Sequence, residues 1–168
     1  MAIFKVIDFA VADDIKLLER LNYIREPYAT NSDLIFGVYV STRYPYEEMK
    51  LVKRCYLSES NNTFQGKHFF EYVISLHEDE SDYLADFKDC VMKIDNLLAN
   101  YSGGHFQVVS AIHLNTDNLH AHIIANNTDW TTGARFNLFK ADFFAIRENI
   151  NQILIDYNFS VVKQVENG

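Results

Sequence analysis

The sequence predicts an α+β layered sandwich, a central antiparallel β-sheet flanked by α-helices. Apolar residues alternate in short β-type runs and recur at helical spacing in longer segments between them. In addition, the run Asn115-Thr116-Asp117-Asn118 has turn composition and joins two of the strands into a hairpin.

In chain order, Ile3 to Phe9 reads as a first strand. Ala12 to Ile24 follows as a helix, because Leu17, Leu18, Leu21 and Ile24 form one apolar stripe, and Pro27 stops it. Leu34 to Ser41 is apolar but too short to settle between helix and strand. Glu47 to Ser58 is helical, entered at Pro45, and Lys67 to Leu76 is a β-type run. Ser81 to Tyr101 is a long amphipathic helix that Ser102-Gly103-Gly104 ends. His105 to His113 and Leu119 to Asn126 are the hairpin strands. Lys140 to Tyr157 is a last helix, and Ser160 to Lys163 a last short strand.

The chain has 168 residues, 48% apolar and 14% aromatic, which suits one globular domain over 1–168, whether whole or cut from a longer protein. No signal-like segment or bilayer-length apolar run occurs, so a cytoplasmic protein without membrane insertion is expected. Cys55 and Cys90 lack metal-type spacing and read as reduced core residues. The net charge of −8 runs against a nucleic-acid partner, which would have to meet a local basic face.

The hairpin carries the chemistry. In a strand, His120 and His122 share a face. With Asn115 to Asn118 as the turn, His113 lies opposite His120, with Cβ atoms roughly 5 Å apart. A lone strand histidine usually serves its neighbours; three converging imidazoles suit a catalytic divalent metal with open positions. The other face, Leu119, Ala121, Ile123 and Ala125, is apolar and packs on helices. His68, His77 and His105 have no such pattern and read as structural.

These residues resemble the relaxase/mobilisation nuclease family, the MobA/MobL-like tyrosine-type branch of the HUH endonucleases. The name comes from a His-hydrophobic-His signature, here His120-Ala121-His122. The family's longer pattern is matched by His113, Asp117, His120, His122, Ile123, Ile124 and Asn126, then by Thr132-Gly133 and Phe136. Independently, Tyr23-Ile24-Arg25-Glu26-Pro27 with Thr30 is similar to the family's tyrosine motif, and Ser75 with Glu80 to its Ser-Phe-x-x-x-Glu motif. Asn115 stands at the family's first acidic position, Asn118 at its extra turn histidine, and Ala29 at the lysine before Thr30.

The resemblance implies an HUH-type sandwich and a site- and strand-specific DNA nickase. Tyr23 would be the nucleophile, preferred over Tyr28, Tyr44 and Tyr46. His113, His120 and His122 would hold a divalent metal, magnesium or manganese, with zinc also admitted. Asp117, Glu80, Asn126 and Thr30 would support them. The expected partners are single-stranded DNA at an origin of transfer, accessory mobilisation proteins and a coupling protein, in a bacterial cytoplasm. Lys50, Lys53 and Arg54 share a helix face by spacing, which Arg25, Arg43 and Arg135 extend as DNA contacts, with Trp130 as a base-stacking ring. Such a face is equally a solvated surface. Three other readings stay open: a rolling-circle replication initiator, a catalytically degenerate relaxase-like DNA-binding domain, and a zinc hydrolase. Initiators place the tyrosine after the histidines, whereas Tyr23 precedes them.

Overall fold

The computed structural model describes residues 1–57 and 66–163. Its strands are β1 (Ile3–Ile7), β2 (Ile35–Val38), β3 (Phe69–Ser75), β4 (Phe106–His113) and β5 (His120–Asp129). Its helices are α1 (Asp14–Ile24), α2 (Pro45–Leu57), α3 (Leu84–Ala99) and α4 (Lys140–Asp156). The strands form one sheet in the order β1-β3-β5-β4-β2, with every neighbouring pair antiparallel. The expected α+β sandwich with a central antiparallel sheet is what forms.

Strand alternation splits the core into two layers. Tyr72, Ile74, Val108, Ile112, Ala121, Ile123 and Ala125 face α3 and α4, meeting Phe87, Val91, Ile94, Ile146 and Ile150. Phe69, Val109, Ala111 and Ile124 face α1 and α2, meeting Leu17, Leu21, Ile24 and Met49. The histidine strand therefore has helices on both sides, and its polar residues must sit where the α1/α2 layer ends.

The differences from the expected elements are local. Asp13 caps α1 by accepting from the Lys16 amide at 2.8 Å, so the helix starts after it and not at Ala12. Leu18, counted in the apolar stripe, lies at its margin and is exposed. The unsettled stretch after Leu34 is edge strand β2. Pro45 opens α2, where a missing amide costs no helix bond, and Ser58, the expected last residue of that helix, lies outside the described residues. A 3-10 turn over Glu78–Glu80 delays α3 to Leu84. The expected final strand reduces to one parallel bridge, Ala2 to Val162. Cys90 is buried as expected, but Cys55 is exposed.

One buried acid is left in the apolar layer. Asp95 on α3 is fully buried; the Ser110 hydroxyl donates to Oδ2 at 2.5 Å, and Oδ1 has no partner among the described residues. Burial holds its carboxyl well above the usual carboxylate range, with only Ser110 opposing. A native state that keeps this proton longer than the unfolded chain loses stability as pH rises from the ordinary carboxylate range through the raised folded value. Asp95→Asn, neutral at all pH, is expected to melt higher than the parent at pH 8 and near the parent at pH 4. Thermal denaturation at the two pH values checks this, and a larger penalty at pH 8 than at pH 4 contradicts it.

Candidate metal centre

The β4–β5 register places His113 directly opposite His120, and Ala111 opposite His122. The two strands thus carry the imidazoles onto one face, as the turn predicted. Ring centroids are 5.2 Å apart for His113 and His120, 4.6 Å for His113 and His122, and 5.4 Å for His120 and His122. One nitrogen from each ring falls within 4.8 Å of the others, a seat for a divalent metal ion.

Each ring is steered from behind. His113 is 1% exposed, and its Nε2 lies 2.8 Å from the Ile24 carbonyl. A carbonyl only accepts, so Nε2 carries the proton and Nδ1 keeps a lone pair. By the same logic His120 Nδ1 donates to the Asn118 carbonyl at 3.0 Å. His122 Nδ1 is buried without a hydrogen bond and lies 3.6 Å from Glu71 Oε2. A carbonyl acceptor behind His113 and behind His120, with a carboxylate near His122, resembles the arrangement of metal-ligating histidines. Burial drives His113 down to about 4, against the upward pull of the Ile24 carbonyl, and burial also lowers His120. Both are then neutral at pH 7, the form that binds metal.

Tyr23 stands on the last turn of α1, next to the residue whose carbonyl holds His113. Its ring meets His122 edge-on at 5.6 Å and His113 at 5.9 Å, and it is 38% exposed. The segment after it folds back through Glu26 and Pro27, and the Leu114 amide donates to the Ala29 carbonyl at 2.7 Å. The helix end is therefore tied to the hairpin at two points, so the tyrosine and the imidazoles share one frame. Tyr28, in the same segment, is far more exposed.

Sequence reasoning missed the acid of the site. Glu71 sits fully buried in β3, where Arg20 of α1 grips it through Nε to Oε1 at 2.9 Å and Nη2 to Oε2 at 2.8 Å. The Arg20 guanidinium also lies 4.2 Å from the centre of the Tyr23 ring. Burial pushes the Glu71 carboxyl up, but His122 and Arg20 outweigh it and hold it below the usual range. The signal was an ionisable residue inside the apolar run Phe69–Ser75.

Other expected residues fall elsewhere. Glu80 accepts from the Ser160 amide at 2.6 Å and the Ser160 hydroxyl at 2.9 Å, pinning the chain after α4, not a histidine. Asn126 is buried along β5 and donates to Gln107 at 3.1 Å and to the Met49 carbonyl at 3.3 Å, which ties α2 to the sheet. Thr30 is buried beside the folded-back segment. Asp117 is exposed in the turn. Lys53 is 2% exposed with Nζ 3.2 Å from Asp14 Oδ1, so it is no part of a DNA-facing surface. Arg25 donates to the Leu21 and Thr42 carbonyls and fastens the end of α1 to the loop before α2. Arg43, Arg54 and Arg135 are exposed, Lys50 is half-buried over the Tyr46 ring, and Trp130 is exposed at the far end of β5 beside Tyr39. The Thr132-Gly133 turn uses a positive φ at Gly133, against which the Tyr56 ring packs, and the Phe136 amide donates to the Asn127 carbonyl at 2.8 Å.

A three-histidine seat on the central hairpin of an antiparallel sheet, with a helix-borne tyrosine at its rim, defines an HUH-type metal protein. The model of the MobA/VirD2-like relaxase nuclease domain matches residues 23–159, and the chain belongs to that family. It is 33% identical over 67 residues to protein rlx of Staphylococcus aureus, a stretch covering 40% of this chain and 20% of that protein. The chain thus spans about a fifth of the length of the curated relative it matches. Among solved structures it is similar to the manganese-bound MobM relaxase domain in complex with a 23-nucleotide oriT DNA of plasmid pMV158. The TM-score is 0.68 and identity 17%, over 99% of this chain and 90% of that one. The MobM domain bound to a 26-nucleotide oriT DNA gives a TM-score of 0.66 and 15% identity, over 99% and 92% of the chains. At such identities the likeness shows the fold.

Among the described residues no helix is long and apolar enough to cross a membrane. A metal that binds the native seat and not the unfolded chain stabilises by mass action, about 2.7 kcal/mol at 100 times the dissociation constant. Manganese at that excess is expected to raise the melting temperature by roughly 5–10 °C for a domain of this size. His122→Ala and His113→Ala are expected to lose that increment; scanning calorimetry with and without chelator reads it, and an unchanged increment in both variants rules the seat out.

Proposed function

We propose that the chain is the nicking domain of a relaxase, a site- and strand-specific transesterase that cleaves single-stranded DNA at an origin of transfer for conjugative mobilisation. The observation that carries this reading is the Tyr23 ring at the rim of the imidazole cluster, 5.6 Å from His122 and 5.9 Å from His113, and partly open to solvent. Family membership and the solved MobM–oriT complexes support the same reading.

In this reading the Tyr23 hydroxyl oxygen attacks the scissile phosphorus and loses its proton to solvent base. The P–O3′ bond breaks, and the departing oxygen takes up a proton from solvent to become a 3′-hydroxyl. The product is a 5′-phosphotyrosyl adduct, which retains the ester energy and allows later rejoining. A phenol of pKa near 10 is a weak nucleophile at neutral pH and needs a nearby cation. A divalent ion held by His113, His120 and His122, magnesium or manganese before zinc, would supply Lewis acidity to a non-bridging phosphate oxygen. The chain's own groups do the rest. The Ile24 and Asn118 carbonyls orient His113 and His120, Glu71 faces His122, and the α1 terminus delivers Tyr23. Exposed Arg43, Arg54 and Arg135 would meet backbone phosphates, and Trp130 would stack a base. Within the cell we place the unit in the bacterial cytoplasm, as part of a longer mobilisation protein working with accessory and coupling proteins.

Incubation with labelled single-stranded oriT DNA and manganese is expected to give a covalent protein–DNA band. The band should vanish with chelator and in Tyr23→Phe, and persist in Tyr28→Phe. DNA binding without a band would leave a degenerate binding domain. Cleavage that survives Tyr23→Phe without an adduct would point to a hydrolase.

A further inference from the structure

We propose that Arg20 is a positioning residue that locks the tyrosine and the metal seat into one rigid unit through Glu71. The inference rests on the reading of Tyr23 as nucleophile. Arg20 uses two surfaces at once. Its nitrogens make the two-pronged grip on Glu71, at 2.9 and 2.8 Å, while its Cζ lies over the Tyr23 ring, 4.2 Å from the centre, and 5.5 Å from the centre of the Phe9 ring. Glu71 in turn extends Oε2 to 3.6 Å from His122 Nδ1. One chain of contacts therefore runs from the phenol, through the guanidinium and the carboxylate, to a metal-ligating imidazole.

Stability alone does not account for this pair. Glu71 is fully buried on the face of β3 that also carries Phe69 and Val73, and Arg20 follows Leu17 and precedes Leu21 in the stripe that packs there. Apolar side chains of similar volume at both positions would cost nothing or stabilise, because desolvating two charges offsets most of their attraction. An ion pair kept in such a place fixes direction. Only the planar fork of arginine can hold both carboxylate oxygens and stack on a ring at once; a lysine ammonium is a point charge and cannot.

Arg20→Met alone would strand a buried carboxylate, so the test uses Arg20→Met/Glu71→Gln with Arg20→Lys beside it. The double variant is expected to melt at or above the parent temperature and to bind single-stranded oriT DNA as the parent does. Its rate of adduct formation at saturating DNA and manganese should fall about 10- to 100-fold, the size expected when a group behind a metal ligand is lost. Arg20→Lys should leave the rate depressed although the charge is kept. A folded double variant that forms adduct at the parent rate overturns the proposal. A second readout is independent of turnover: the ¹⁹F resonance of fluorotyrosine at position 23 should shift toward the solvent-exposed value in the double variant. An identical resonance in both proteins also overturns it. If the parent forms no adduct, the nicking reading fails, and this resonance still decides whether Arg20 holds the ring.

Discussion

The register of the β4–β5 hairpin is the constraint from which the site follows. Side chains in a strand change face at every residue, so a slip by one position would turn His120 and His122 into the α3/α4 layer and bring Ala121 and Ile123 to the rim. The register is pinned on both flanks. β3 pairs along β5 from Phe69 opposite Asn126 to Ser75 opposite His120, and Ala121, Ile123 and Ala125 are committed to the apolar layer below. The imidazoles converge because the apolar residues between them leave no other arrangement.

A hairpin alone makes only a cluster of histidines. The end of α1 brings a tyrosine ring against that cluster. The Ile24 carbonyl belongs to the last turn of the helix, where backbone acceptors lack intrahelical donors, and His113 supplies the missing hydrogen. The same bond fixes the His113 tautomer and sets the distance of Tyr23, one residue earlier, from the seat. Pro27 stops the helix close behind, and the Ala29 carbonyl closes onto Leu114.

Much of this was legible in the residues. The His-x-His spacing, the third histidine across a short turn, the helix stop at Pro27 and the apolar face of β5 are local, and local pattern determined them. What was not legible depends on long-range pairing. Glu71 went unremarked inside a β-type run, because only the placement of α1 over β3 brings Arg20 to it. Lys53 matched a basic helix face by spacing, yet α1 covers that side of α2 and turns the lysine inward onto Asp14. Glu80 and Asn126 carried motif positions, but their partners are Ser160, Gln107 and Met49, so those positions hold the fold together. Asn31 and Asp13 decided turn and helix starts within a residue or two, below what periodicity resolves.

The charge of the chain, −8, looks hostile to the phosphate substrate of the proposed reaction, but the whole-chain sum is not the local field at the seat. Charges separated by more than a Debye length, about 8–10 Å near physiological salt, are largely screened at an exposed surface. Near the seat, Arg20 and Glu71 cancel within their two-pronged pair, and ligating imidazoles are neutral. A divalent ion held there would add two positive charges beside a partly exposed phenol. The buried ion pair thus has an electrostatic consequence beyond its geometry. It places a carboxylate 3.6 Å from His122 while Arg20 balances that carboxylate's charge, so in the proposed reaction the acid adds little repulsion toward a phosphate.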